Sequence, residues 1–148
     1  MKLFYQKVFY KYNIFVSSCD IFRNLQEMRH ILILGAGRSA SSLIKYLLDH
    51  SEEEQLHLTI ADLSVALAKQ KTNNHKNASA IALDIFDEVK RKKEIEKATI
   101  VVSMLPAHLH IDVAKDCIVY QKHLVTASYI SPEMQELWDE DMKRVKEE

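Results

Sequence analysis

The stretch "RHILILGAGRSASSLIKYLL", residues 29–48, holds both glycines of a 148-residue chain, Gly35 and Gly37. Glycine loses more backbone freedom on folding than any other residue, so a chain that otherwise avoids it keeps it where a side chain cannot fit. "HILIL" (30–34) before the pair is a nearly continuous apolar run, the pattern of a strand buried on both faces. After the pair, Ala40, Leu43, Ile44, Leu47 and Leu48 recur at helical spacing and define one apolar face. Gly35-Ala36-Gly37-Arg38-Ser39-Ala40 therefore reads G-x-G-x-x-A between a buried strand and a helix. In that context the first glycine permits the tight turn and the second lets backbone approach a pyrophosphate. The alanine lets the helix pack closely on the sheet. The free N–H groups of the helix start, with about half a positive charge from the helix dipole, face the anion. An ordinary strand-to-helix turn would need only one glycine.

The rest of the chain repeats the strand–helix alternation. Strands are expected at "LHLTIAD" (56–62), "ASAIALD" (78–84), "TIVVSML" (99–105) and "HLVTAS" (123–128). Helices are expected at 63–71, 86–98 and 108–120. A last helix places Met134, Leu137, Trp138, Met142 and Val145 on one face, with Ser131 as N-cap and Pro132 at its first position. Alternation of this kind predicts an α/β fold, a doubly wound parallel sheet of Rossmann type with strand order 3-2-1-4-5.

Composition narrows the function classes. Apolar content of 47% and charged content of 28% fit one globular domain, and a formal charge of −1 offers no bulk attraction to nucleic acid or anionic membrane. No apolar run approaches a membrane span. Cys19 and Cys117 form neither a metal spacing nor a disulfide framework, so a reducing cytoplasm is expected. Residues 1–27 differ from the rest: they hold seven of the twelve aromatics and no clean period. Polar residues interrupt any signal-peptide core there. The functional domain is expected from Met28, residues 28–148, and the leader is an extension of uncertain role.

Further site residues should gather where the strands end. Asp62 ends the second strand, 22 residues after Ala40, where an acidic residue bonds adenosine ribose hydroxyls; its plainer role is to cap the next helix. A carboxylate there disfavours a 2′-phosphate, because like charges about 4 Å apart repel by roughly 4 kcal/mol at an effective dielectric near 20. NAD(H) is the expected cofactor, and NADP(H) remains possible through Arg38 and Lys69. Asp84 and Ile85 border the adenine, or else cap a helix and join the core. Met104, Leu105 and Pro106 line the ribose and nicotinamide. His108 and His110 are expected to begin a surface helix, and two histidines make no complete zinc site. Ser128 and Tyr129 have no visible activating base, so no catalytic residue is assigned. A short-chain dehydrogenase is disfavoured, since no Y-x-x-x-K pair occurs.

Three segments, "ILILGAGRSASSLIKYLL", "VVSMLPAHLHIDVAKDCI" and "KHLVTASYISPEMQEL", make the chain similar, over roughly residues 29–145, to the saccharopine dehydrogenase family, glutamate-forming branch. "HLVTASYISPEM" is the most distinctive part. The resemblance implies a pyridine-nucleotide oxidoreductase of lysine metabolism that joins or cleaves saccharopine through an imine and a hydride transfer. It implies that Gly35, Gly37, Arg38 and Ala40 form the phosphate turn and that Asp62 holds the ribose position. It implies that Ser103 to Pro106 and Ala127 to Tyr129 face the nicotinamide. The family continues past the "SPEM" helix into a substrate-binding and dimerising domain, whereas this sequence stops at Glu148. The expectation is a cofactor-binding portion (a fragment, a split-gene product or a stand-alone module) that is inactive alone or is completed by a separate chain carrying the substrate domain. The alternative is a non-enzymatic regulatory module that senses dinucleotide.

Overall fold

The structure, a computed structural model, describes residues 28–147. The leader segment 1–27 therefore lies outside the described residues. Five strands form one parallel sheet: β1 (Arg29–Leu34), β2 (Leu56–Asp62), β3 (Ala78–Ala82), β4 (Ile100–Ser103) and β5 (His123–Thr126). Their order is β3-β2-β1-β4-β5, as the alternation predicts. The helices between and after them are α1 (Ser41–Asp49), α2 (Val65–Thr72), α3 (Glu88–Lys97), α4 (His110–Val119) and α5 (Pro132–Glu147).

Burial on both faces explains the unbroken apolar run of β1. Ile31 and Ile33 join Leu58 and Ile60 of β2 beneath α1 and α2, where Ala40, Ile44, Leu48 and Ala68 close the layer. Leu32 and Leu34 face the other way, against Ile95 of α3 and Val113 and Cys117 of α4. Each apolar layer is complete only when both helices of its side are in place, so sheet and helices order together.

Several boundaries differ from the sequence pattern for local reasons. α2 begins at Val65 because Ser64 caps it, its Oγ accepting from Leu67 N at 3.4 Å. α3 begins at Glu88 because Asp87 caps it, accepting from Lys90 N at 3.1 Å. Asp62 and Asp84 are thus not the helix caps of the plainer reading. Each instead accepts from a backbone N–H two residues on, at Ser64 and Phe86 respectively, a turn typical of aspartate. β4 ends at Ser103, and a 3₁₀ turn over Ala107–Leu109 leads into α4. Ser131 does cap α5, its Oγ accepting from Met134 N at 3.3 Å.

Candidate functional site

Because every strand is parallel, all five carboxyl ends lie on one edge of the sheet. The chain reverses its direction of winding between β1 and β4, and the loops that follow these two strands meet there. Gly35 has φ +98°, and a Cβ on it would lie 3.3 Å from the Met104 carbonyl oxygen. The first glycine therefore serves both the left-handed turn and the close approach of the β4 loop. Gly37 has ordinary extended geometry, and a Cβ there would meet nothing within 4 Å. Gly37, Arg38 and Ser39 are exposed around this open space, while Ala36 and Ala40 are fully buried.

No side chain caps the 3₁₀ turn Arg38–Ala40 or the start of α1. Helix starts leave backbone N–H groups without internal partners, and an anion satisfies them well. An open cradle over an uncapped helix start fits a diphosphate. Among the described residues no group of three or more histidine, cysteine or acidic side chains could hold a metal ion.

Asp62 is fixed to this loop. One carboxylate oxygen accepts from Ala36 N at 2.8 Å and the other from Ser64 N at 2.9 Å. Two oxygens offer about four acceptor positions, so capacity remains for hydroxyl donors. Asp84 is exposed beyond β3, and Ile85 packs against the α3/α4 core. Arg91 of α3 holds this loop: its guanidinium donates to the Ile85 carbonyl oxygen at 2.6 Å and to Asp116 of α4 at 2.6 Å. Leu63 and Phe86, after β2 and β3, are 76% and 73% exposed, apolar walls that the sequence pattern did not single out.

At the other end of the edge, Met104 and Leu105 lie against the glycine turn, and Pro106 and Ala127 are exposed. Ser103 and Ser128 are brought together by a residue that sequence reasoning placed at the surface. His110 is buried, 3% exposed, with Nδ1 2.9 Å from Ser103 Oγ and Nε2 2.9 Å from Ser128 Oγ. Burial, and secondarily the charge of His108, pushes its pKa below the ordinary histidine value. The missed signal was available: His110, Val113, Ala114 and Cys117 are spaced as one helical face, and all four are buried. Ser128 thus has a histidine partner after all. The third member is a serine rather than a carboxylate, so the trio lacks the ionised group that stabilises an imidazolium in hydrolytic triads.

Two other features lie apart from this edge. A cavity of about 410 Å³ sits toward the start of the sheet, where His30, Thr59, Ser79 and His57 form a hydrogen-bonded chain. Cys117 is buried, its thiol pushed up to about 12 by burial, and so chemically quiet.

Fold and edge together define a dinucleotide-binding α/β domain. The sequence signature of the saccharopine dehydrogenase NADP binding domain matches residues 31–147, and the chain belongs to that family. It is 34% identical over 116 residues to the saccharopine dehydrogenase (NADP+, L-glutamate-forming) of Schizosaccharomyces pombe, covering 78% of this chain and 25% of that protein. It is 33% identical over 120 residues to the α-aminoadipic semialdehyde synthase of Arabidopsis thaliana, covering 70% of this chain and 11% of the relative. The apo saccharopine dehydrogenase (L-Glu forming) of Saccharomyces cerevisiae superposes with a TM-score of 0.67 at 30% identity, over 74% of this chain and 24% of that one. The chain therefore spans about a quarter or less of these relatives. A nicotinamide dinucleotide is the ligand class of the domain. No helix among the described residues is long and apolar enough to cross a membrane.

Proposed function

We propose that this chain is the cofactor-binding part of a cytoplasmic saccharopine dehydrogenase-like oxidoreductase of lysine metabolism. The cofactor supplies hydride transfer, and protein outside the matched residues supplies the groups that hold substrate. The unit that does this work runs from Met28, and residues 1–27 stand outside it. The observation that carries the reading is the open, uncapped glycine turn packed against the β4 loop in a chain of this family.

On this reading the residues divide the dinucleotide among them. Gly35 to Ala40 receive the diphosphate. Asp62 takes the ribose hydroxyls, and Asp84 and Ile85, with Leu63 and Phe86, border the adenine. Met104 to Pro106, Ala127 and Ser128 line the nicotinamide, while Ser103, fully buried, stands behind them without reaching the ligand. Turnover of saccharopine needs substrate-holding groups outside the matched residues, so residues 31–147 by themselves bind cofactor without turning saccharopine over.

The finer choice between cofactors rests on Asp62. Its carboxylate is anchored by two backbone N–H groups and cannot swing away from an incoming 2′-phosphate. At about 4 Å the repulsion is roughly 4 kcal/mol per charge pair at an effective dielectric near 20. NAD(H) is therefore the proposed partner. The NADP in the family name and in the fungal relatives' names pulls the other way, and the exposed guanidinium of Arg38 could meet a phosphate. Fluorescence titration of the full chain with NADH and with NADPH decides it. Tighter NADH binding, narrowed by Asp62→Ala, supports the assignment; equal or tighter NADPH binding overturns the preference. Absence of binding by either nucleotide overturns the function.

A further inference from the structure

The Ser103–His110–Ser128 chain runs from the sheet interior to the cofactor edge, and its hydrogen-bond directions can be deduced. Ser103 is fully buried, and its hydroxyl has no partner among the described residues other than His110 Nδ1. A buried O–H proton needs an acceptor, because leaving it unsatisfied costs far more than a typical bond returns. Ser103 therefore donates to Nδ1. An Nδ1 that accepts carries no proton, so the ring is in its neutral form, the form that burial favours, and a neutral imidazole carries one N–H and one acceptor nitrogen. With Nδ1 accepting, the proton sits on Nε2, which donates to Ser128 Oγ. The Ser128 proton is then the one group in the chain left to point outward. Ser128 is only partly exposed and follows the end of β5, at the edge where the sheet binds ligand.

We propose that Ser103 and His110 are positioning residues that lock Ser128 as a hydrogen-bond donor to the nicotinamide carboxamide oxygen. The proposal deepens the dinucleotide reading and rests on it. Neither Ser103 nor His110 touches the ligand: each acts by fixing the tautomer and so the direction of the last hydroxyl. Without the Ser103 hydroxyl, the ring is free to place its proton on Nδ1. Nε2 then accepts from Ser128, whose proton turns inward.

The test uses the full chain with three probes: NADH, ADP-ribose, which lacks the nicotinamide ring, and ¹⁵N NMR of the His110 imidazole, identified by its loss in His110→Gln. The expected spectrum is the neutral Nε2–H tautomer, and a neutral Nδ1–H tautomer overturns the proposal. Ser128→Ala is expected to weaken NADH binding about tenfold, the size of one lost hydrogen bond. Ser103→Ala is expected to do nearly the same from a position sealed off from ligand. The double variant should be no weaker than either alone, since all three remove one donor. ADP-ribose affinity should not move in any of them. Additive losses, or losses shared equally by ADP-ribose, mark a merely structural role and overturn the proposal. Unchanged NADH affinity in Ser128→Ala also overturns it, leaving the dinucleotide reading intact. If neither NADH nor ADP-ribose binds the unmodified chain, the underlying function fails and takes this inference with it. Should Ser103→Ala not fold, the tautomer of the unmodified protein decides.

Discussion

The two glycines separate stability from binding within three residues. A side chain at Gly35 must adopt φ +98° and press a Cβ to 3.3 Å from Met104 O, so Gly35→Ala should destabilise the domain by about 1–3 kcal/mol. Urea denaturation measures this directly. Gly37→Val meets open space and ordinary backbone, so its stability should change by no more than about 0.5 kcal/mol. It places a branched side chain where the diphosphate would lie, and NADH affinity should fall by at least about tenfold. Equal destabilisation by both substitutions, or retained affinity in the second, would contradict the division of labour. The glycine turn was legible because all its determinants are contiguous. The Ser103–His110–Ser128 chain was not, because its members come from β4, α4 and the loop after β5, and only the β4–β5 pairing brings them together. His110 has a pH signature as well. Its folded pKa lies below its unfolded value, so its neutral form contributes stability that is full above about pH 6.5 and declines as pH falls below it. His57, lowered by burial and by His30, acts in the same direction. Denaturation midpoints should drop from pH 7 to pH 5, and the drop should be shallower in His110→Gln; an equally steep decline would assign the loss to other groups.

Between elements, the Arg91–Asp116 pair is the main polar tie. Both side chains are less than 10% exposed, one on α3 and the other on α4, and Arg91 also holds the Ile85 carbonyl beside the proposed adenine end of the site. Removing one partner strands a buried charge. Asp116→Ala should therefore cost about 3–5 kcal/mol, whereas the apolar pair Arg91→Met with Asp116→Leu should cost much less. Chemical denaturation of the three proteins checks this: equal losses for the single and double variants would mean that the ion pair itself, rather than the stranded charge, sets the stability. NADH affinity should drop in the double variant despite its stability, because the β3–α3 loop loses the Ile85 anchor. At this scale the sequence was read well. β1 announced itself by an apolar run that only a central strand can bury on both faces, and α1 by five apolar residues at helical spacing. Ends were read less well, since Ser64 and Asp87 win the helix starts from Asp62 and Asp84 through side-chain bonds that composition does not reveal.

The molecule as a whole places the groups proposed to bind ligand in five loops separated by up to about ninety residues, and joins them through the sheet. The glycine turn and Asp62 belong to one half of the winding, and the β4 and β5 loops to the other. The contact of Gly35 with the Met104 carbonyl lies at the seam between them. A dinucleotide laid across that seam contacts both halves, and the unfolded chain has no such arrangement to offer. Binding must therefore stabilise the folded state by mass action, by about 2.7 kcal/mol when ligand stands at 100 times its dissociation constant. For a domain of this size that corresponds to a rise in Tm on the order of 10 °C. ADP-ribose at the same multiple of its own dissociation constant should give the same shift, since linkage counts occupancy and not contacts. At equal concentrations it should give less than NADH, because it lacks the nicotinamide that, on the proposed reading, meets the β5 loop. Differential scanning fluorimetry across a concentration series distinguishes these cases. A Tm that rises with the logarithm of NADH concentration, and in Gly37→Val rises only at NADH concentrations at least about tenfold higher, places the ligand at the glycine turn. A Tm that rises equally in that variant would place it elsewhere on the molecule.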